Sequence, residues 1–333
     1  MKELFICPSY LRRGYQTYCK EALRDLFEGK QVSHVFNGPS PDLDEEKSEL
    51  AIRTIGRISL SGAQPKFSVV IGADNRLRYT KEREQGTFIL KPKPVSRVII
   101  NKDFCCANEK LSMQMDSQVY GIENAANGLC FFENEDSPAY ITRRFDVCEK
   151  GKLKQEDFAA LLGRNKETHG PDYKYENISY EECADLIQKY VKPALIDLRK
   201  FFKIILYNFL ILNDDAHLKN FSLIEKNGEY RLSPAYDLVN TSLMIREPHI
   251  FAFEKGLFKE GMQLSDIRWV RRKDFEEFGK RIGLPEKIIK KEIDFFATPH
   301  SLGEELINNS FLSVELKKSY LDSYNFRRKM LTF

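Results

Sequence analysis

The stretch ILNDDAHLKNFSLIEKNGEYRLSPAYDLVN, residues 211–240, follows the apolar run Ile204 to Leu212 and sets Asp214, Asp215, His217, Lys219, Asn220 and Asp237 between two apolar segments. Two readings compete for it. Asn213, Asp214, Asp215 and Asn220 suit the end of a core helix and the turns beyond it, where short polar side chains bond to nearby backbone. Alternatively, the same residues are a reaction centre presented by that helix.

Spacing favours the second reading. Asp215 precedes Asn220 by five residues, and Asp237 follows a predicted hairpin, Ser222 to Glu225 with Tyr230 to Leu232, whose turn holds Asn227-Gly228. In phosphoryl transfer one aspartate takes the hydroxyl proton, an asparagine five residues on holds Mg²⁺, and an aspartate beyond a short hairpin holds Mg²⁺ as well. A loop leaving a buried helix is fixed at its start, so base and metal ligand can face one phosphate. Of the adjacent acids, Asp215 takes the base role by this spacing, and Asn220 and Asp237 are the candidate metal ligands. A solvated turn has no use for Asp237 at the end of an apolar segment. His217 stands where many such enzymes place a phosphate-touching lysine, and Lys219 is close enough in sequence to supply that charge. A hydrogen-bonded loop histidine is an equal reading.

The same chemistry requires a strand lysine, a helix glutamate and a loop over the phosphates. Lys91 ends the predicted strand TFILK (Thr87 to Lys91), and Glu109 lies in a helical pattern from Phe104 to Tyr120. Neither G-x-G-x-x-G nor G-x-x-x-x-G-K-[ST] occurs. In the loop's place stands Ser59-Leu60-Ser61-Gly62-Ala63-Gln64-Pro65-Lys66, small residues ending on a lysine and able to cradle phosphate.

Around these motifs the chain divides. Residues 1–46 read as a short head with a helix between Gly14 and Gly29 and a Pro/Gly-interrupted linker from Asn37 to Glu46. Residues 47–146 are strand-rich, with strands at Ser68 to Ile71, Leu77 to Thr80, Thr87 to Lys91 and Ala139 to Phe145. Residues 147–333 read as helical: Gln155 to Leu162, Tyr180 to Tyr190, Ala194 to Leu212, Phe275 to Ile282, Pro285 to Ala297 and Val314 to Leu331. The fold class expected is α+β, a two-lobed protein-kinase-like fold with a strand-rich first lobe, an all-helical second lobe and the ligand in the interlobe cleft.

Composition narrows the function classes. With 52 basic and 49 acidic residues among 333, the net charge of +3 lacks the footprint of a dedicated nucleic-acid binder, so contact with DNA would be indirect. Seven cysteines form no close-spaced framework, which suits a reducing cytoplasm. Cys7 and Cys19 have no C-x-x-C partner and read as core or surface thiols rather than half of a zinc site. The N-terminus lacks a signal-peptide apolar region, and the nine-residue apolar run before the polar stretch is short of the roughly 20 residues of a membrane span. A cytoplasmic protein without membrane contact is expected.

Taken in order, SLSGAQPKF, FILKPKP, RRFD, QEDF, NDDAHLKNFSL and LSPAYDL resemble the HipA family of bacterial serine/threonine kinase toxins. That resemblance covers about Ile55 to the C-terminus and implies ATP and Mg²⁺ as cofactors. It implies that Ser61, Gly62, Ala63, Gln64 and Lys66 cover the ATP phosphates and that Lys91 aligns them. Arg143, Arg144 and Phe145 would form the hinge that reads adenine by main-chain groups, and Gln155 would touch the ribose. His217, Lys219 and Tyr236 would join Asn220 and Asp237 around nucleotide and metal.

The resemblance also implies autophosphorylation at Ser59, with Ser61 forming an S-x-S pair similar to the short HipT-type toxins. About two added negative charges beside those of ATP suffice for inhibition. The implied substrate is an aminoacyl-tRNA synthetase, whose phosphorylation stops translation, and the implied partner is a HipB-like helix-turn-helix antitoxin. Fewer residues precede Ser59 than a full-length HipA N-terminal subdomain needs, which points to a separate HipS-like protein in its place. Two other classes fit part of the pattern. One is a small-molecule kinase of the aminoglycoside-phosphotransferase type, against which the GAQ loop and S-x-S pair count. The other is an inactive nucleotide-binding, antitoxin-docking module, against which the complete set Asp215, Asn220, Asp237 and Lys91 counts.

Overall fold

The computed structural model describes residues 3–43, 64–149 and 151–333. Ser59, Ser61, Gly62 and Ala63 lie outside the described residues.

The first half is organised by an antiparallel sheet of β1 (Phe67–Ile71), β2 (Leu77–Tyr79), β3 (Phe88–Lys91), β4 (Asn127–Cys130) and β5 (Ala139–Arg143), ordered β2-β1-β3-β5-β4. Side chains alternate along a strand. Phe88 and Leu90 therefore face one side of β3, and Ile89 and Lys91 the other. The Phe88 side packs on the head: α1 (Lys20–Phe27) buries Ala22, Leu23, Leu26 and Phe27 there, and the Phe27 ring lies 5.6 Å from Phe88. Cys7 and Cys19 belong to this same core. The Cys7 sulfur accepts from the Cys19 amide at 3.3 Å, so these are packed thiols, as their spacing suggests.

Across the sheet lies α2 (Cys105–Gln118), packed on β4 and β5 and buried almost all round. Enclosure on every side removes the amphipathic pattern of a surface helix. Its buried lysine, Lys110, is satisfied by the Asn127 side chain at 2.5 Å.

A two-stranded ribbon, β6 (Val147–Cys148) and β7 (Gly151–Lys152), leads into β8 (Gln155–Asp157). Then follow α3 (Phe158–Leu161), α4 (Lys166–His169), α5 (Tyr180–Tyr190) and α6 (Leu195–Ile211). Beyond the 211–240 stretch, with β9 (Ser222–Lys226) and β10 (Glu229–Leu232), come α7 (Leu264–Arg268), α8 (Arg272–Arg281), α9 (Glu286–Ala297), α10 (Ser301–Asn309) and α11 (Val314–Met330). Phe202, Phe209, Phe275, Phe278 and Phe296 are among the side chains of the large core around α6. No described helix is long and apolar enough to cross a membrane.

The second half is predominantly but not wholly helical, which corrects the expectation on that point. Strands β8, β9 and β10 form an antiparallel sheet, and Gln155 to Asp157 opens as strand where a helix was expected. The physical reason is the cap. Asp157 is extended and its carboxylate accepts from the Ala160 amide at 2.8 Å, so the helix begins only at Phe158. Asn227 and Gly228, with φ of 55° and 79°, give the primed turn that the Asn-Gly pair predicts between β9 and β10.

Candidate functional site

Helix α6 ends at Ile211, and the left-handed backbone of its cap, Leu212 (φ 51°), turns the chain out of the core into Asn213 to Asn220. Asp237, closing the return from β10, is left-handed as well (φ 57°). Non-glycine residues in that conformation cost about 1–3 kcal/mol and persist where the surroundings over-determine them, commonly at functional sites. Here Asn213 spans both, donating to Asn208 Oδ1 at 3.0 Å and to the Asp237 carbonyl at 3.4 Å.

Asp215 is buried. Its Oδ1 accepts from the Tyr175 hydroxyl at 2.7 Å, and its carbonyl accepts from the Asn220 amide at 2.9 Å. The second bond fixes the five-residue loop and spends the nitrogen of Asn220, so its side-chain oxygen is the atom left for a cation. Asp214 faces elsewhere: its Oδ2 accepts from the His249 amide at 2.9 Å and its own amide donates to Thr241 Oγ1. The adjacent acids thus have different surroundings.

Lys91 Nζ donates to Glu109 Oε1 at 2.6 Å and to Asp237 Oδ1 at 2.5 Å. Lys66 Nζ reaches the other Asp237 oxygen at 3.1 Å. Burial alone would raise Asp237, but the charges of Lys66 and Lys91 outweigh it and hold the carboxyl far below the usual range. Burial would lower Lys91, and Asp237 and Glu109 more than reverse it. For Glu109 burial wins over the Lys91 charge and its value is raised. Asp237 is therefore an anionic oxygen donor, neutralised in this structure by two lysines. Among the described residues no group of three or more His, Cys, Asp or Glu could hold a metal. Such a sparse set, Asp237 and the Asn220 oxygen, suits Mg²⁺, which keeps water and phosphate oxygens as its remaining ligands.

A cleft of about 400 Å³, within the range of small-molecule sites, opens beside this network. Its lining brings together Lys66, Lys91, Arg143, Arg144, Phe145, Gln155, Lys219, Tyr236 and Asp237. Phe145 and Tyr236 rings lie 5.7 Å apart, and Ile89, Ala125 and Leu153 add apolar wall. Of the residues expected to form a hinge, Arg143 N–H donates to the Ala126 carbonyl and Arg144 N–H to that of Thr87, which leaves neither N–H for a ligand. The Arg143 side chain pairs with Glu28 of the head. Gln155 Nε2 donates to Ser222 Oγ at 2.9 Å, and Lys219 Nζ reaches Asp157 Oδ2 at 2.9 Å. Tyr236 donates its hydroxyl to the Lys219 carbonyl.

Gln64 and Glu109 sit deeper. Both line a second, small cavity with Lys91, Asp215 and Asp237. Gln64 is buried and its Nε2 donates to the Pro92 carbonyl at 2.7 Å, tying the end of the upstream loop to the sheet.

Two residues near Asp215 have no counterpart in the sequence reading. Tyr175 bonds its carboxylate, and Lys174 Nζ lies 3.1 Å from His217 Nε2. Both belong to an irregular segment between α4 and α5, about 40 positions upstream, where spacing carries no signal of proximity. The basic-aromatic run Tyr173-Lys174-Tyr175 after Gly170-Pro171 was the available hint.

His217 is buried, its ring 5.0 Å from that of Tyr175. Burial lowers its value from 6.5 to about 4; Asp215 opposes this and the Lys174 charge adds to it. Because the folded value is the lower one, the unfolded chain binds more protons between the two. Stability due to neutral His217 is present above pH 6.5 and is lost as pH falls toward 4, about 3 kcal/mol at full loss. Urea midpoints followed across that interval are expected to fall in the parent and to flatten in His217→Gln.

The chain is similar in sequence and in fold to several known proteins. A family model described as HipA-like C-terminal domain matches residues 58–299. A Haemophilus influenzae protein named "Putative kinase" is 28% identical over 98% of this chain and 96% of its own length. "Putative kinase Y4dM" of Sinorhizobium fredii is 30% identical over 66% of this chain and 53% of its own. Among solved structures, HipA from the Shewanella oneidensis MR-1 complex of HipA, HipB and operator DNA superposes with a TM-score of 0.64 at 18% identity, covering 88% of this chain and 72% of that one. At that identity the likeness is one of fold, the two-lobed kinase-like architecture expected from the motifs.

Proposed function

The chain belongs to the HipA-like C-terminal domain family, and from that membership we propose that it is a Mg-ATP-dependent protein serine/threonine kinase acting as a toxin. The observation that carries this reading is the chain of contacts Glu109–Lys91–Asp237–Lys66 at the edge of a nucleotide-sized cleft, with Asp215 lining the cavity behind it. We divide the chain into a head, residues 1–46, a lobe bearing the phosphate loop, 47–146, and a lobe bearing the catalytic loop, 147–333.

In this reading the adenine lies beside Phe145, near the main chain of Arg143 and Arg144, with the ribose at Gln155. Lys91, Lys66, Lys219 and the backbone of residues 61–64 bind the phosphates. Asn220 and Asp237 would hold Mg²⁺, which would supply charge neutralisation during phosphoryl transfer. Asp215 orients the substrate hydroxyl and takes its proton as the hydroxyl oxygen bonds to the γ-phosphorus and the β–γ bridging bond breaks, releasing ADP. Burial beside a tyrosine hydroxyl keeps the base in place before substrate arrives.

The substrate proposed is an aminoacyl-tRNA synthetase, and the partner a HipB-like antitoxin through which any DNA contact runs. A separate HipS-like protein is proposed as a further partner. Autophosphorylation at Ser59 or Ser61 would set phosphate charge against that of ATP. Incubation with radiolabelled ATP and a cell lysate, followed by phosphopeptide mapping, tests the reading. Label is expected on Ser59 or Ser61 and on a synthetase; a protein that labels neither itself nor any lysate protein is not this kinase.

A further inference from the structure

We propose that a second cleft, beside Asp215 and separate from the nucleotide cleft, docks the segment of a protein substrate that carries the acceptor hydroxyl, and that it selects a lysine or arginine together with a large apolar side chain near that hydroxyl. The inference rests on the kinase reading above and deepens it.

This cleft encloses about 390 Å³ and shares no lining residue with the nucleotide cleft. Its walls come from the irregular segment between α4 and α5, from residues 249–254 and from α7. Two bonds join the first two walls: the Glu254 amide donates to the Tyr175 carbonyl at 3.3 Å, and the Asn177 amide to Glu254 Oε2 at 3.4 Å. The walls are therefore tied together before a partner arrives, which lowers the ordering cost of binding. Tyr175 lines this cleft, and its hydroxyl donates to Asp215 Oδ1 at 2.7 Å. Asp215 also lines the small cavity that holds Lys91 and Asp237, both of which line the nucleotide cleft. The base is thus linked to both clefts. One tyrosine side chain separates it from the second, so an extended segment rising about 3.3 Å per residue, with its hydroxyl at Asp215, brings a side chain into that cleft within about three positions.

The chemistry of the walls names the occupant. Ile250, Phe251, Phe253 and Ile267 give apolar surface, and Leu264 adds more while 77% exposed. Apolar surface left open beside polar residues marks contact with a partner. Asp172, Glu176 and Glu254 line the same cleft. Among the described residues, the Glu176 and Glu254 carboxylates have no basic side chain at ion-pair distance, and Arg164 donates to the Glu176 and Asn177 carbonyls instead. Acids a few residues further along are matched: Glu182 by Lys255 at 3.6 Å and Asp185 by Lys259 at 2.8 Å. A cation supplied by the partner completes the set, and opposite charge across an interface selects the partner and fixes its register. The same carboxylates repel phosphodiesters, which counts against nucleic acid, and the apolar wall beside them suits a polypeptide.

The test uses the full chain, radiolabelled ATP and a peptide library with serine fixed at the centre and three residues randomised on each side. The parent is expected to accept peptides enriched in lysine or arginine and in a large apolar residue. Glu176→Lys/Glu254→Lys is expected to raise KM for the best such peptide roughly 10-fold, to leave KM for ATP unchanged and to turn the charge preference toward aspartate and glutamate. Leu264→Asp is expected to raise the same peptide KM while keeping the basic preference. All three positions are exposed, and Glu176→Gln/Glu254→Gln, expected to weaken the preference without reversing it, replaces the charge reversal if that protein does not fold. A parent indifferent to basic residues, or a folded charge variant with the parental KM and preference, overturns the proposal. A parent that labels itself but no peptide overturns it as well, and leaves the kinase reading standing. A parent that transfers no phosphate at all overturns the kinase reading; fluorescence anisotropy of a labelled peptide of lysine, leucine and serine then decides the docking alone. Binding by the parent that weakens in the charge variant supports the docking, and absent or unweakened binding overturns it.

Discussion

Asp215→Asn is expected to lower phosphoryl transfer by roughly 10²- to 10⁴-fold while leaving the fold intact. Asparagine keeps an oxygen for the Tyr175 hydroxyl, and the Asn220 amide bonds the Asp215 main chain, which the substitution does not touch. What disappears is the capacity to take a proton. Asp214→Asn is the matched control: its carboxylate receives the His249 amide, a bond an amide oxygen also accepts, so its rate should stay near the parent's. Single-turnover transfer from labelled ATP, measured beside thermal unfolding of each variant, separates the two. An Asp215→Asn protein with parental rate, or an Asp214→Asn protein equally inactive and still folded, would remove Asp215 from the base position.

That contrast also marks how far the sequence could be read. The five-residue spacing selects Asp215 over its neighbour, and the alternation of FILK turns Lys91 to the cleft side of β3 while Phe88 and Leu90 enter the head core. Local patterns of this kind survive folding because strand and loop geometry are periodic or short. Lys174 and Tyr175 were not legible. They reach the site from an irregular segment, and only the packing of α5 and α6 beneath the loop decides that they arrive there. Gln155 was placed at the site but in the wrong element, since QEDFAALL carries helix-forming residues and its capping aspartate stands in the middle. Arg143 shows a further limit: the family resemblance implies a hinge role for it, and only the tertiary fold shows its N–H committed to Ala126 and its guanidinium to Glu28.

Lys91→Met should damage stability and activity together, and a second substitution should part them. Lys91 is the shared partner of two carboxylates, Glu109 at 2.6 Å and Asp237 at 2.5 Å, and all three side chains are largely buried. Removing one member of a buried ion pair strands its partner, at a cost of about 3–5 kcal/mol. Asp237 retains Lys66 at 3.1 Å, so the larger penalty falls on Glu109, already raised by burial and then deprived of the charge that opposes the rise. Adding Glu109→Gln removes that stranded charge and should restore most of the lost stability. It should not restore turnover, because the cation facing the phosphates is still missing; a loss of roughly 10²- to 10³-fold in kcat is expected for both variants. Urea unfolding read beside ATP turnover checks both statements. A Lys91→Met protein as stable as the parent would mean that Glu109 is held by something other than this lysine, and recovery of turnover in the double variant would mean that Lys91 serves the packing of the cleft rather than the nucleotide.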